Sequence, residues 1–341
     1  MTAVDASATG GGVAGGRGAT ASEGAAVLAT SELHVRFRRG RAVVRAVDGV
    51  NLEVHRGEIL ALVGESGCGK TTLARALLGL APPEQGAVLH EGDPLPTGGA
   101  GLKAYRRHVQ LVLQDPSGAL NPRHSVFEAV AEGLRIHRVP GDEVALVSAA
   151  LSKAGMRPPE KFFLRYPHEL SGGQRQRVVI AGALVLEPDV IVADEPVSAL
   201  DASVRGEILA LLLGLREELG LTVVVVTHDL GLAWNIADRI AVMYLGRIVE
   251  LGTVEEVLAG PRHPYTQALL SVVPEINQIE PIVLVGEPPD ATKVPEGCRF
   301  RPRCPVYAAS RDTALRLRCE REDPAVLPGS GEHTAACHAA T

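Results

Sequence analysis

A run of glycines, one lysine and two threonines between residues 64 and 72 has the composition and spacing of a phosphate-binding loop. The run follows an apolar, strand-like stretch at 59–63 and opens a helical stretch, so its backbone N–H groups and a helix N-terminus can surround one anion. Lys70 can reach the β- and γ-phosphates of a nucleotide, and the Thr71 hydroxyl can ligate Mg²⁺. The candidate nucleotide-binding residues here are Gly64, Glu65, Ser66, Gly67, Cys68, Gly69, Lys70, Thr71 and Thr72.

Two other interpretations of this loop have less support. A chance glycine-rich turn is disfavoured by the strand before the loop and the helix after it. A dinucleotide site is disfavoured because the pattern Gly67-x-Gly69-x-x-Thr72 lacks the third glycine of that fingerprint.

Two adjacent acids, Asp194 and Glu195, end the apolar run 190–193. Carboxylates at the end of a buried strand are costly unless they meet a cation, so Asp194 is a candidate Mg²⁺ ligand together with Thr71 and Gln114. Glu195 can orient and polarise an attacking water. An isolated Asp-Glu pair is more often a solvated turn, and only the phosphate-binding loop makes the catalytic interpretation the better one.

Four apolar runs at 59–63, 109–113, 190–193 and 223–226 alternate with helical stretches, which predicts an α/β fold with a mostly parallel sheet. The carboxyl ends of parallel strands share one edge of the sheet, so residues that follow the runs should meet there. Gln114 and His228 follow two of these runs. We expect both beside the phosphates, with His228 near the γ-phosphate or its water and Gln114 sensing Mg²⁺ and the nucleophile.

A second anion site is predicted at Leu170-Ser171-Gly172-Gly173-Gln174, where a long helix begins. Ser171 can cap this helix, and the glycines leave its N-terminus open to an anion. Because one phosphate-binding loop already occupies the chain, this second site is best explained if it contacts the nucleotide of another chain. A simple N-cap beside a glycine turn is the alternative.

The sequence resembles the ATPase cassettes of ABC transporters. Leu-Ser-Gly-Gly-Gln is similar to their signature, and the phosphate-binding loop, Gln114, the acid pair, the loop 198–201 and His228 stand in the order typical of that family. The resemblance implies an ABC-type P-loop NTPase cassette over residues 31–260, with an antiparallel β subdomain and a helical subdomain at about 115–185. It also implies that two cassettes close head-to-tail over two ATP molecules. Across that interface, γ-phosphate contacts are implied for Ser171, Gly173 and Gln174, and a coupling role for Asp201.

The adenine contact departs from the family pattern. Cassettes of this type carry a stacking aromatic before the phosphate-binding loop, but the stretch 41–47 contains none. Phe37, Arg41 and Val44 remain alternatives for this role.

Three segments resemble the ATPase subunits of oligopeptide and dipeptide importers: residues 114–123, 263–274 and 298–305. This resemblance implies a heterodimer with a paralogous ABC ATPase, two transmembrane permease subunits, a substrate-binding protein, and a peripheral location on the cytoplasmic face of the cell membrane. Related transporters import nickel or other small solutes, so those substrates remain alternatives.

Composition and the absence of long apolar runs in the sequence restrict the partners and the location of the chain. The net charge is −6 and aromatic residues make up 3%, which argues against a nucleic-acid partner. No apolar run approaches the roughly 18–20 residues needed to cross a bilayer. Residues 1–30 are rich in Gly, Ala, Ser and Thr and are expected to form a disordered leader. A non-transport ABC ATPase is disfavoured, because the chain has one P-loop and no long coiled-coil insertion.

Four of the five cysteines lie in the predicted extension 261–341, as Cys298-x5-Cys304-x14-Cys319-x17-Cys337. Seven arginines and two acids fall between Cys298 and Arg321, and this positive charge suits an anionic four-thiolate cluster. The importer resemblance implies a 4Fe–4S cluster. Zinc, with His333 or His338 as a substitute ligand, is one alternative, and thiols without a metal are another.

Overall fold

The computed structural model describes residues 26–273, 280–329 and 333–340. Its strands are β1 Ala26–Arg39, β2 Ala42–His55, β3 Ile59–Val63, β4 Gln85–His90, β5 Asp93–Pro94, β6 Val109–Val112, β7 Val190–Asp194, β8 Thr222–Thr227, β9 Arg239–Tyr244, β10 Arg247–Thr253 and β11 Thr334–Ala335. Its helices are α1 Lys70–Leu77, α2 Gly99–His108, α3 Pro116–Ala119, α4 Val126–His137, α5 Glu143–Lys153, α6 Gly172–Leu184, α7 Ala202–Leu219, α8 Leu230–Ile236, α9 Val254–Ala259, α10 Pro264–Ser271, α11 Pro305–Ala309 and α12 Thr313–Arg321.

The main sheet has the strand order β11-β10-β9-β3-β8-β7-β6. Strands β6, β7, β8, β3 and β9 run parallel, the first four of them as the continuous apolar runs predict. The side chains of the central strands β3 and β8 are buried on both faces. Val63 lies opposite Thr227, and Asp194 lies opposite Val226. The carboxyl ends of these strands therefore meet at one edge of the sheet.

A smaller antiparallel sheet, in the order β2-β1-β4-β5, packs beside the main sheet. Its first strand begins at Ala26, so the predicted leader 1–30 and the predicted cassette start at 31 place this boundary too late. Val27 and Leu28 are buried, and Leu28 pairs with Val54 on β2 and His90 on β4. Burial between two strands explains why this stretch is ordered; the rest of the predicted leader, 1–25, lies outside the described residues.

Helix α2 corrects a second expectation. The glycines and prolines of 84–114 predict a small antiparallel β region with a loop. Strands β4 and β5 do lie there, but residues 99–108 form a helix that docks on the end of α1. The buried Tyr105 hydroxyl donates to the Leu77 carbonyl, and the Arg106 guanidinium donates to the carbonyls of Leu78 and Gly79 at 3.2 and 2.8 Å. These bonds satisfy carbonyls at the C-terminus of α1, so tertiary contacts outweigh the poor helix propensity of glycine.

Helices α3 to α6 form the helical part of the molecule and span 116–184, close to the predicted 115–185. Ser125 and Glu128 form a capping box that starts α4. The apolar faces of α4 and α5, with Val130 and Leu151 fully buried, pack against α6. Since Ser171 is the N-cap of α6, this packing fixes where the predicted signature lies.

The segment after residue 260 is continuous with the cassette rather than a separate unit. Strand β11 pairs with β10 and so completes the main sheet. The rings of Tyr265 and Phe300 pack on Tyr244 of β9 with centroids 4.7 and 5.2 Å away. The predicted boundary therefore marks a change in composition, but one shared core spans it. In the part of the chain that the structure describes, no helix is long and apolar enough to cross a membrane.

Candidate functional site

The loop between β3 and α1 has the cradle shape that its glycines predict. A Cβ atom on Gly64 would lie 2.2 Å from the Met243 carbonyl oxygen, and one on Gly69 would lie 2.1 Å from the Ala46 carbonyl oxygen. Gly69 also has a φ of +113°, which other residues rarely adopt. Only glycine fits at either position, so the sequence dictates this tight turn of backbone around an anion-sized space.

Lys70 directs its ammonium into the curve of this loop. Its Nζ donates to the carbonyl oxygens of Gly64 at 2.6 Å and Glu65 at 2.9 Å, and the side chain is buried. A cavity opens above the loop, and most of the candidate loop residues border it. Its wall also includes Phe37, Val44 and Arg45 on the antiparallel sheet and Ala291 from the C-terminal extension.

Of the three residues considered for the adenine contact, two border this cavity. Phe37 and Val44 are direct cross-strand partners on β1 and β2, and both line its wall. Arg41 lies in the hairpin turn and does not border the cavity. Phe37 and Val44 therefore offer an apolar surface on which an adenine ring could pack.

The candidate magnesium site comprises Thr71 in the first turn of α1, Asp194 at the end of β7 and Gln114 beyond the end of β6. The Thr71 hydroxyl lies 3.4 Å from Asp194 Oδ1. Burial, opposed by the hydrogen bond from Thr71, raises the pKa of Asp194 above that of a solvated aspartate. A half-buried carboxylate of this kind favours a cation partner. Gln114 bonds Glu195, the residue that follows Asp194.

Glu195 lies between the other two candidate catalytic residues. Gln114 Nε2 donates to Glu195 Oε2 at 3.0 Å, and His228 Nδ1 lies 3.1 Å from Glu195 Oε1. The backbone of Glu195 has a φ of +47°, an uncommon conformation that its N–H bond to the Val226 carbonyl, at 2.9 Å, helps to hold. Each carboxylate oxygen therefore has its own partner, and Glu195 also borders the cavity above the phosphate-binding loop.

The signature residues lie at the N-terminus of helix α6, apart from the phosphate-binding loop. Ser171 Oγ accepts the Gln174 N–H at 3.2 Å, and Gln174 Oε1 accepts the Ser171 N–H at 3.1 Å. A Cβ on Gly173 would lie 2.5 Å from Val204, which explains the glycine by close packing on α7. Asp201 precedes α7 and is exposed. None of these four lines the cavity above the phosphate-binding loop of its own chain, as far as the described residues show.

The four cysteines of the extension border one small cavity, which we name the cysteine cavity: Cys298, Cys304, Cys319 and Cys337. Burial raises the pKa of the Cys298 thiol to about 12 and raises the pKa of Cys304 and Cys319 as well. No cluster of three or more His, Cys, Asp or Glu side chains in the described ranges has the arrangement of a single-ion site.

Fewer arginines border the cysteine cavity than the sequence predicted. Of the seven arginines only Arg301 lines it; the buried Arg299, for example, bonds Asp48 instead. His338 borders the cavity, but its ring nitrogens bond Arg318 and the Glu322 carbonyl. His333 instead bonds the buried Glu250 at 2.7 Å and is excluded as a zinc ligand at this cavity.

Comparison with known proteins agrees with this geometry. The family model described as "ABC transporter" matches residues 47–198, and the one described as "Oligopeptide/dipeptide transporter, C-terminal region" matches residues 249–310. The oligopeptide transport ATP-binding protein OppF of Escherichia coli is 42% identical over 330 residues, covering 91% of this chain and 94% of its own. The chain belongs to the ATP-binding proteins of ABC peptide transporters.

Other members of this ABC ATPase family give the same picture. The dipeptide transport ATP-binding protein DppF of Haemophilus influenzae is 46% identical over 267 residues, covering 76% of this chain and 81% of its own. Among solved structures, CbiO1 of Clostridium perfringens superposes with a TM-score of 0.62 at 33% identity, covering 69% of this chain and 91% of that one. A bacterial ABC transporter cassette solved as a dimer gives a TM-score of 0.60 at 30% identity, covering 67% and 98%.

Sequence reasoning missed part of the surroundings of this ABC ATPase's phosphate-binding loop. Tyr265 and Arg303 of the extension both bond Glu65, and Ala291 accepts a hydrogen bond from the Arg45 N–H at 3.2 Å. The only signal in the sequence was Glu65, the one acid within residues 64–72, which could pair with a cation. Nothing indicated which of the arginines would supply it.

Proposed function

We propose that this chain is the ATP-hydrolysing motor of an importer for oligopeptides or dipeptides. The observation that supports this most is similarity to a peptide-transport ATP-binding protein over 91% of the chain, including the C-terminal region that distinguishes peptide transporters. Nickel or another small solute is the second candidate substrate, and a non-transport ABC ATPase has no supporting feature.

In this proposal the loop Gly64 to Thr72 holds the phosphates of ATP. Backbone N–H groups and the N-terminus of α1 surround the anion, and Lys70 adds a full positive charge. Thr71, Asp194 and Gln114 are the residues that would hold Mg²⁺, and their hydroxyl, carboxylate and amide oxygens are the ligands this ion prefers. When bound, Mg²⁺ neutralises charge that develops on the phosphate oxygens.

Glu195 then acts as the base that orients and polarises the attacking water. One of its oxygens faces His228 and the other faces Gln114, so both partners hold the carboxylate in one rotamer. His228 can also donate to the γ-phosphate or to the water. A carboxylate fixed in this way contributes to the rate through orientation as well as through its basicity.

The second nucleotide contact requires another subunit. Ser171, Gly173, Gln174 and Asp201 lie away from the chain's own nucleotide cavity, which supports their action on ATP held by a partner. The dimeric form of a structurally similar cassette supports the same arrangement. The partner would be a paralogous ABC ATPase, and the pair would dock on two permease subunits at the cytoplasmic face of the membrane, supplied by a substrate-binding protein.

A 4Fe–4S cluster is the group we propose for the cysteine cavity. Four thiols around one space suit a cluster, whose cysteine ligands stand further apart than those of one zinc ion. Anaerobic purification with iron, sulfide and zinc assays tests this; colourless, metal-free protein would contradict it.

The proposed substrate is tested with the purified complex of this chain, its partner ATPase and the permeases in lipid vesicles. Substrate-binding protein loaded with di- to pentapeptides should raise the ATPase rate, whereas the same protein without peptide or with Ni²⁺ should not. Stimulation by Ni²⁺ alone would transfer the assignment to the second candidate. No stimulation by any loaded binding protein would contradict import.

A further inference from the structure

The C-terminal extension makes three hydrogen bonds to a single residue of the phosphate-binding loop. The Glu65 N–H donates to the Tyr265 hydroxyl oxygen at 2.9 Å. Both terminal nitrogens of Arg303 donate to the Glu65 carboxylate, at 2.7 and 3.0 Å. Backbone and side chain of the residue after Gly64 are therefore both held by segments about 200 and 238 positions away in the chain.

Arg303 and Glu65 form a bidentate ion pair that is largely shielded from solvent. Arg303 is 7% exposed and Glu65 is 27% exposed, so water screens this pair less than an ordinary surface ion pair. The hydrogen bonds to Glu65 raise the pKa of Arg303, and the guanidinium is charged at every physiological pH. Rigid surroundings keep it in place, because Arg303 ends a short helical turn that follows Phe300 in the aromatic core.

Within the phosphate-binding loop, Glu65 in turn controls the position of Lys70. The Lys70 ammonium donates to the carbonyl oxygens of Gly64 and Glu65. A shift of the Glu65 backbone would move both acceptors and change the direction of the ammonium. The extension also reaches the far wall of the cavity, where Ala291 accepts the Arg45 N–H and lines the space beside Phe37.

We propose that the C-terminal extension is a working part of the nucleotide site, in which Arg303 and Tyr265 are positioning residues that set the phosphate-binding loop and thereby the affinity for ATP. The inference rests on the proposed role of residues 64–72 in holding the phosphates of ATP. It assigns to the extension a function in the ATPase cycle in addition to any metal bound by its cysteines.

The test uses the full-length chain and measures the dissociation constant of a non-hydrolysable ATP analogue with Mg²⁺. Arg303→Gln and Glu65→Gln should each weaken binding about tenfold, from loss of a charge-assisted bond. Because both changes remove the same contact, the double variant should also be weaker by about tenfold rather than about a hundredfold. Arg311→Gln, at an exposed arginine of the same extension, is the matched control and should bind like the wild type.

Thermal unfolding of every variant separates positioning from simple stability. A lowered midpoint with unchanged analogue affinity in Arg303→Gln would overturn the proposal, and so would additive effects in the double variant. Tyr265→Phe removes only the hydroxyl and is expected to weaken binding about threefold, from loss of one neutral hydrogen bond. It provides the readout if Arg303→Gln does not fold. Lys70→Ala tests the underlying site: wild-type affinity there would instead refute the proposed phosphate-binding role.

Discussion

The Nδ1 atom of His228 lies 3.1 Å from Oε1 of Glu195, although 33 residues separate them in the chain. The contact arises because β7 and β8 are adjacent parallel strands whose carboxyl ends coincide. Gln114, beyond the end of β6, donates from Nε2 to the other carboxylate oxygen of Glu195. Three residues from three strand ends thus form one hydrogen-bonded group beside the phosphate-binding loop.

Replacement of Glu195 by Gln should uncouple nucleotide binding from hydrolysis. The amide keeps the shape of the side chain but cannot polarise water as a base, so turnover of the assembled complex should fall about 10²–10⁴-fold. Affinity for ATP should stay within about twofold, since the loop residues are unchanged. Phosphate release and nucleotide titration measure the two quantities separately, and turnover close to wild type would exclude the role of Glu195 as base.

Ser171→Arg tests whether the signature acts on a partner's nucleotide. The residue is exposed and lies outside the chain's own cavity, so ATP binding by the isolated chain should be unchanged. A long cation at the helix N-terminus should obstruct the γ-phosphate contact in the dimer, and turnover of the complex should fall at least about 100-fold. If the isolated chain lost its affinity for ATP instead, the signature would act within the same chain.

The buried ion pair between Asp48 and Arg299 links the antiparallel sheet to the C-terminal extension. Both side chains are 6% exposed, and the Arg299 Nη2 atom lies 2.6 Å from Asp48 Oδ2. Asp48→Asn would leave the guanidinium buried without its main partner, which should lower the free energy of unfolding by about 3–5 kcal/mol.

Urea unfolding of this variant needs a matched control from an exposed ion pair. Glu84, which is 51% exposed, contacts Arg36 at 3.5 Å. Glu84→Gln should change the free energy of unfolding by less than about 1 kcal/mol. Equal effects in the two variants would show that burial does not decide the contribution of the Asp48 pair.

His263 should make the stability of the protein depend on pH. Burial lowers its pKa to about 3 in the folded state, from 6.5 when solvated. Below pH 6.5 the unfolded chain therefore binds a proton that the folded chain does not, so stability falls as the pH decreases from 6.5 toward 3. The His263 contribution should be about 1.4 kcal/mol per pH unit in that range.

His263→Asn isolates this contribution, because an asparagine oxygen can accept the Tyr265 N–H that the ring nitrogen accepts at 3.0 Å. Between pH 7 and pH 5 the wild type should lose about 2 kcal/mol more unfolding free energy than the variant. Parallel stability curves for the two proteins would mean that His263 does not titrate on unfolding.

The sequence was sufficient to predict the positions of those site residues that follow directly from a strand, a glycine motif or a helix cap. Continuous β-branched runs identified four of the parallel strands, and parallel strands have a common carboxyl edge, so Gln114, Glu195 and His228 could be placed together from the sequence. The glycines of the loop could be assigned for the same reason, since the motif fixes their spacing. The start of α6 followed from Ser171 as an N-cap.

Contacts made by irregular segments could not be predicted in this way. The bonds from Tyr265 and Arg303 to Glu65 join a loop to positions about 200 residues away, and no periodicity relates them. Helix α2 was missed because glycine lowers helix propensity, whereas its bonds to the end of α1 are tertiary. Strand β11 is only two residues long and gains its conformation from pairing with β10.

Uptake of labelled peptides tests most directly whether this ATPase powers peptide import. Cells that carry Glu195→Gln in place of the native chain, with no second peptide transporter, are compared with cells that carry the wild type at the same protein level. We predict that accumulation of di- to pentapeptides falls to background while accumulation of an unrelated solute is unchanged. Normal peptide accumulation in the variant cells would contradict the assignment.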